Sequence, residues 1–115
     1  MSTMNSVNII GRLTRSVDMR YTTLGIAVSA FGLAINERRK KGEEWVDDTV
    51  FVEITTWKKL AENCAQYLGK GDLCGVHGKL KYESWEASDG TKRSKLGVNA
   101  INVVFLEKKE HEEPA

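Results

Sequence analysis

A chain of 115 residues holds one domain, and with 29% charged and 41% hydrophobic residues it reads as globular rather than disordered. Its longest apolar runs, such as Val103-Val104-Phe105-Leu106, are far too short to span a bilayer as a helix. The N-terminus lacks the basic start and apolar stretch of a secretion signal, which points to a cytoplasmic address, and the formal net charge of +1 excludes the strongly basic balance of many nucleic-acid binders.

Along the chain, Val7 to Leu13 is the first strand-like run and Ala27 to Ile35 the second. The polar stretch Asn36 to Glu44 reads as a long loop. Val46 to Thr56 is the third run, rich in the Val, Ile, Thr and Phe that suit a pleated, half-buried surface. From Lys58 to Leu68 the period changes: Leu60, Ala61, Cys64, Ala65 and Leu68 make one apolar stripe at helical spacing, with Gly69 as a C-terminal cap and Gly71 releasing the chain. Leu73 to Trp85 and Lys95 to Leu106 are the fourth and fifth runs, joined by a hairpin turn at Ser88-Asp89-Gly90-Thr91. Gly11, Gly32, Gly75, Gly78 and Gly97 interrupt these runs, as bulges and tight bends do at the corners of a small closed barrel. Five strands with a helix between the third and fourth give the order of an OB-fold, an all-β, five-stranded Greek-key barrel with one short helix plugging an end. The fold spans residues 1–106, and residues 107–115 form a short charged tail expected to be disordered.

Cys64 and Cys74 do not make a disulfide framework, and with no signal peptide they should stay reduced and buried. Together with His77 they match no common zinc spacing, so no metal or other cofactor is expected.

Alternation sorts the third run into two faces. Val50, Val52 and Ile54 point toward the core; Phe51, Glu53, Thr55 and Trp57 point away from it. In the fourth run Lys79, Lys81, Glu83 and Trp85 share one face, and Leu80 and Tyr82 the other. A lone tryptophan in a small β-protein is more often a core or interface anchor than a binding platform. Here both Trp57 and Trp85 keep company with charged residues, which favours exposed rings; Phe51 follows the same parity, and Trp45, at a loop edge, could equally pack on the barrel. Rings beside ammonium groups are what single-stranded nucleic acid requires. Unpaired bases stack on the rings, each for about 1–3 kcal/mol, while cations follow the phosphates. The basic clusters Arg38-Arg39-Lys40-Lys41, Lys79/Lys81 and Lys92-Arg93/Lys95 would supply those cations, although any one of them alone reads as solvated surface.

At these residues the chain resembles the bacterial-type single-stranded DNA-binding protein family, over about Asn5 to Phe105. The resemblance rests on Asn5-Ser6-Val7 through Ile10-Gly11-Arg12-Leu13, Arg20-Tyr21-Thr22, Ala27-Val28 to Phe31 and Leu33-Ala34. Lys59-Leu60-Ala61-Glu62 with Tyr67-Leu68-Gly69-Lys70-Gly71 continues it, and Gly78-Lys79-Leu80 with Trp85 and Asp89-Gly90 completes it. It implies sequence-independent binding and protection of single-stranded DNA during replication, recombination and repair, by a homotetramer. Trp85 falls on a family base-stacking tryptophan, Trp57 where the family usually has phenylalanine, Phe51 where it usually has tryptophan, and Arg20 on an arginine near the DNA path. With the residues of the basic clusters and Trp45 added, the expected DNA-binding set is Phe51, Trp57, Trp85, Arg20, Arg38, Arg39, Lys79, Lys81, Arg93 and Trp45. Arg39 stands where some members carry a further tryptophan, Glu53 where the family is often basic, and Val52 where a histidine serves subunit contacts. The end at Glu112-Glu113-Pro114-Ala115 lacks the family's flexible linker and apolar acidic tip, so recruitment of replication and repair proteins by that route is not expected.

An enzyme is not expected. No phosphate-cradling loop and no nucleophile elbow is present, His77 and His111 are the only histidines, and Glu43-Glu44 and Asp47-Asp48 read as solvated pairs. The remaining alternatives are a primosomal or RNA-binding OB module and an OB subunit that binds protein.

Overall fold

A computed structural model describes residues 2–109. Six strands and one helix follow in the order β1 Val7–Leu13, β2 Asp18–Tyr21, β3 Ala27–Lys41, β4 Glu44–Trp57, α1 Lys58–Tyr67, β5 Leu73–Glu86 and β6 Lys92–Glu107. Five of the strands close a ring. β1 pairs antiparallel with β5, β5 with β6 and β3 with β4, while β6 meets β4 in parallel at Ile54↔Val98 and Thr55↔Asn99. The ring closes where β1 reaches β3 at Arg12↔Ala34 and Leu13↔Leu33. Closure removes the long unpaired edges that an open sheet of this size would present. The short β2 lies on the first half of β3, from Asp18↔Ala30 to Tyr21↔Ala27.

Alternation delivers one side chain in two to the interior. Phe31, Leu33, Ile54, Cys74, Val76, Val98 and Val103 fill it, with Leu13 from β1. From α1 the stripe read in the sequence arrives as Ala61, Cys64 and Leu68, with Leu60 packed at its margin. Ser29 and Thr56 are fully buried on facing strands and satisfy each other through their hydroxyls, which removes the desolvation penalty of either one alone. Both cysteines are free and buried, and burial pushes the Cys64 thiol up to about 12 and the Cys74 thiol up to about 11.

Gly78 sits at the register shift where β5 passes from His77↔Asn102 to Gly78↔Ala100, so β6 carries one extra residue, Ile101. A Cβ on Gly78 would collide with the Asn99 carbonyl oxygen, which is why no side chain is tolerated at this bend.

Four expectations are corrected by this geometry. The polar stretch 36–44 is not a loop: β3 and β4 stay paired out to Lys41↔Glu44 around a turn at Gly42 and Glu43, with Gly42 at φ +65°. The short strand β2 joins the five that the pattern indicates. Val50 is not core but 47% exposed, because by that point β4 has left the barrel and runs along the hairpin. The exit from α1 is not capped by a left-handed Gly69. Leu68 ends the helix in extended conformation, the buried Asp72 carboxylate accepts from the Gly69 N–H at 2.8 Å, and the left-handed glycine is Gly71 at φ +89°. Asp72 also accepts from the Lys109 N–H at 2.9 Å, so the ordered body runs past residue 106, and β6 itself includes Glu107. Residues 110–115 of the expected tail lie outside the described residues.

Candidate nucleic-acid interface

Two hairpins, β3–β4 and β5–β6, project from the ring, and all the residues singled out in the sequence except Arg20, on β2, lie on them or at their base. On β4, Ile54 and Thr56 face inward, so Glu53, Thr55 and Trp57 face out; Trp57, the last residue before α1, is 39% exposed. Across the parallel contact, Thr55↔Asn99 brings β6 alongside, and Lys79↔Asn99 and Lys81↔Gly97 bring β5. The outcome is a recess of about 390 Å³ lined by Asn5, Trp57, Lys79, Lys81 and Asn99 among others. The Lys81 Nζ stands 5.8 Å from the Trp57 ring centroid, within cation–π range.

Asn5 is committed to the scaffold. Its amide donates to the Leu80 carbonyl at 3.1 Å and accepts from the Leu80 N–H at 2.8 Å, extending the β1–β5 ladder with a side chain. The Asn99 Oδ1 is buried with no partner among the described residues.

Phe51 is 72% exposed and borders a second recess, of about 300 Å³, with Thr14, Arg15, Gly32 and Glu53. Trp85 is 45% exposed on the outer part of β5, opposite Arg93 of β6. All three rings therefore stand free of the core, as parity requires. Trp45 is 60% exposed on the β3–β4 hairpin, with the Arg38 guanidinium 5.6 Å from its ring centroid, so it packs beneath an arginine and not against the barrel. Arg20 lies on β2 opposite Val28, which is itself opposite Trp57, placing it two strands away from that ring.

The cations are less free than the sequence suggests. Arg20 pairs with Asp18 at 3.4 Å, Arg38 with Asp47 at 3.5 Å, Arg39 with Asp48 at 2.5 Å and Arg93 with Asp89 at 4.0 Å. Lys81 pairs with Glu83 at 2.5 Å, and Lys95 reaches both Glu53 at 3.1 Å and Glu83 at 3.9 Å. The hydrogen bond from Lys81 holds the Glu83 carboxyl below the usual carboxylate range. Lys79 makes no such pair among the described residues. The hairpin arginines, Trp45 and Arg20 thus do not join Trp57 and Lys81 in one recess. Lys95 was read only as one of a basic cluster, and Asn99 and Arg15, which line the two recesses, were not singled out in the sequence. Strand parity with Gly97 could have placed Lys95 and Asn99 on the Trp57 face; nothing in the sequence marks Arg15.

Elsewhere, an apolar recess of about 410 Å³ lies between the end of α1 and the end of β6, where the Tyr67 and Phe105 rings meet tilted at 6.1 Å. No group of three or more His, Cys, Asp or Glu side chains capable of holding a metal occurs among the described residues, and no helix is long and apolar enough to cross a membrane.

Comparison with known proteins places this geometry. The model of the single-strand binding protein family matches residues 4–106. A single-stranded DNA-binding protein of Treponema pallidum is 42% identical over 106 residues, covering 92% of this chain and 60% of the relative. Single-stranded DNA-binding protein 2 of Listeria innocua is 41% identical over 114 residues, covering 97% and 70%. A single-stranded DNA-binding protein of Bacillus cereus is 43% identical over 106 residues, covering 90% and 61%. The chain thus spans about 60% of the length of the Treponema and Bacillus relatives. Among solved structures, a Plasmodium falciparum SSB in complex with ssDNA superposes with a TM-score of 0.86 at 23% identity, covering 93% of this chain and 98% of that one, a likeness that shows the OB-fold. With a family model spanning nearly the whole described body and relatives above 40% identity, the chain belongs to the single-strand binding protein family.

Proposed function

We propose that this chain binds single-stranded DNA without regard to sequence and shields it during replication, recombination and repair. It would do so in the cytoplasm at the nucleoid and without catalysing a reaction. The observation that carries the reading is the outer wall where Trp57, part-exposed, stands with Lys79 and Lys81, while Phe51 and Trp85 are exposed on the adjoining hairpins. Bases stack on these rings and phosphates run past the lysines; Arg20, Arg38, Arg39, Arg93 and Trp45 contact the strand as it leaves the recess. Because every base has a π-face, such a surface is tolerant of sequence. Titration with oligo-dT should quench tryptophan fluorescence strongly. No change at saturating strand would mean that the rings face a protein partner, and a marked preference for RNA of equal length would make the chain an RNA-binding module.

The same reading includes self-association to a homotetramer. Ile10 on β1 and Val104 and Leu106 on β6 are all about half-exposed, and Ile10 and Leu106 both come within contact distance of a Cβ built on Gly75. An apolar patch of this kind on the outside of a barrel is suited to cover by another copy. Light scattering should return about four times the 12.9 kDa chain mass, and Ile10→Asp with Val104→Asp should return the monomer mass. A monomer without substitution removes the tetramer from the reading.

A further inference from the structure

Lys81 and Lys95, two of the ammonium groups on the outer wall, are already occupied by anions of the same wall. Glu53 comes from β4, Lys81 and Glu83 from β5 and Lys95 from β6, and all four line one small cleft beside Thr55 and Gly97. The pairs chain together: Lys81 to Glu83 at 2.5 Å, Glu83 to Lys95 at 3.9 Å, and Lys95 to Glu53 at 3.1 Å. One end of the chain, Lys81, is the cation that stands over Trp57.

We propose that Glu53 and Glu83 are affinity-setting residues of the interface. They hold Lys81 and Lys95 in the place a phosphate would take, so a strand must displace a built-in anion before this part of the wall accepts it. The inference rests on the single-stranded DNA reading above.

Three consequences follow from charge balance. A phosphate that takes Lys81 from Glu83 exchanges one anion for another, so the gain is smaller than for a free lysine. The displaced carboxylate is left beside a phosphate and takes up a small cation or a proton. Cation uptake offsets the counterions that the DNA releases, so the salt dependence is shallower than about −0.7 per phosphate contacted. Proton uptake gives a pH dependence of defined sign. In the free protein Lys81 holds the Glu83 carboxyl low; once Lys81 turns to phosphate that hold is lost and the carboxyl rises. The complex then binds more protons than the free protein, so affinity increases as pH falls through the carboxylate range. Glu53, Lys81 and Lys95 are the charged groups that line this cleft with Glu83.

The pairs are partly exposed and their loss should not unfold the barrel, since surface ion pairs contribute little to stability. The test is oligo-dT titration of the full chain at fixed moderate salt, comparing the unsubstituted protein with Glu83→Gln, Glu53→Gln, the double variant and Glu86→Gln. Glu86 removes the same charge, but strand alternation puts it on the opposite face of β5 from Glu83, and it makes no ion pair among the described residues. Each single change in the cluster should tighten binding about two- to fivefold and the pair of changes about tenfold, with a steeper salt slope, while Glu86→Gln shifts affinity less than twofold. A double variant that binds like the unsubstituted chain, more weakly than it, or no better than Glu86→Gln overturns the inference. Failure of the unsubstituted chain to bind oligo-dT at all overturns instead the reading on which it rests.

Discussion

β3 and β4 each run through two environments, and the difference between them organises the molecule. In the barrel body they bury Phe31, Leu33 and Ile54 completely. A few residues farther along, on the hairpin, the same two strands are held by Arg38–Asp47, Arg39–Asp48 and a Thr49–Asn36 hydrogen bond, with nearly every side chain in water. β5 and β6 repeat the division, with Cys74, Val76, Val98 and Val103 in the body and Lys81, Glu83, Trp85 and Arg93 beyond it. Along the hairpins both faces of a strand are free of the core, whereas in the body only the outward face is, and Trp57 stands on that face. On the proposed reading, substitutions of inward-facing body residues should cost folding, and substitutions on the hairpins or on the outward face of the body should change binding with folding intact.

The largest expected effect breaks the body. Phe31→Ala removes a ring with no solvent exposure and should lower the free energy of unfolding by about 3–5 kcal/mol, read from urea melts. A loss below about 1 kcal/mol would mean that the barrel collapses around the gap and that body and hairpin differ less than described. A smaller effect lies with the thiols. Cys64 and Cys74 titrate near 12 and 11 when folded, against 9.0 as the ordinary value, so the folded state keeps protons that the unfolded state releases. Their contribution is fully present below pH 9 and fades as pH rises toward 11 to 12. Melts at pH 8 and pH 10.5 should show that decline, and a Cys64→Ala, Cys74→Ala protein should show a flatter one. The smallest effect is on the hairpin: Asp47→Asn with Asp48→Asn should change stability by less than about 1 kcal/mol, because exposed pairs are screened, while freeing Arg38 and Arg39 to tighten oligo-dT binding modestly.

The body was legible because burial imposes a period. Alternation around Ile54, the order of five strand runs and the helical stripe of Ala61, Cys64 and Leu68 identified the barrel and its plug, and the same parity turned Trp57 and Trp85 outward. The hairpins were not legible for the opposite reason. Residues 36–44 face water on both sides, so no apolar period marks them as strand, and what pairs them is a register of opposite charges that only the fold brings face to face. Val50 was misplaced by extending the body's rule into that region. The pairing of the wall's cations was hidden likewise: Glu83 meets Lys95 through the antiparallel β5–β6 register, and Glu53 reaches Lys95 only through the parallel β4–β6 contact.

The most direct measurement pairs a thermal melt with an oligo-dT titration for Trp57→Ala and for Trp85→Ala. Each variant should keep the melting transition of the unsubstituted protein and lose about 1–3 kcal/mol of binding free energy. A variant that loses its transition, or that binds as tightly as before, would contradict the claim that these rings stand outside the core to receive bases.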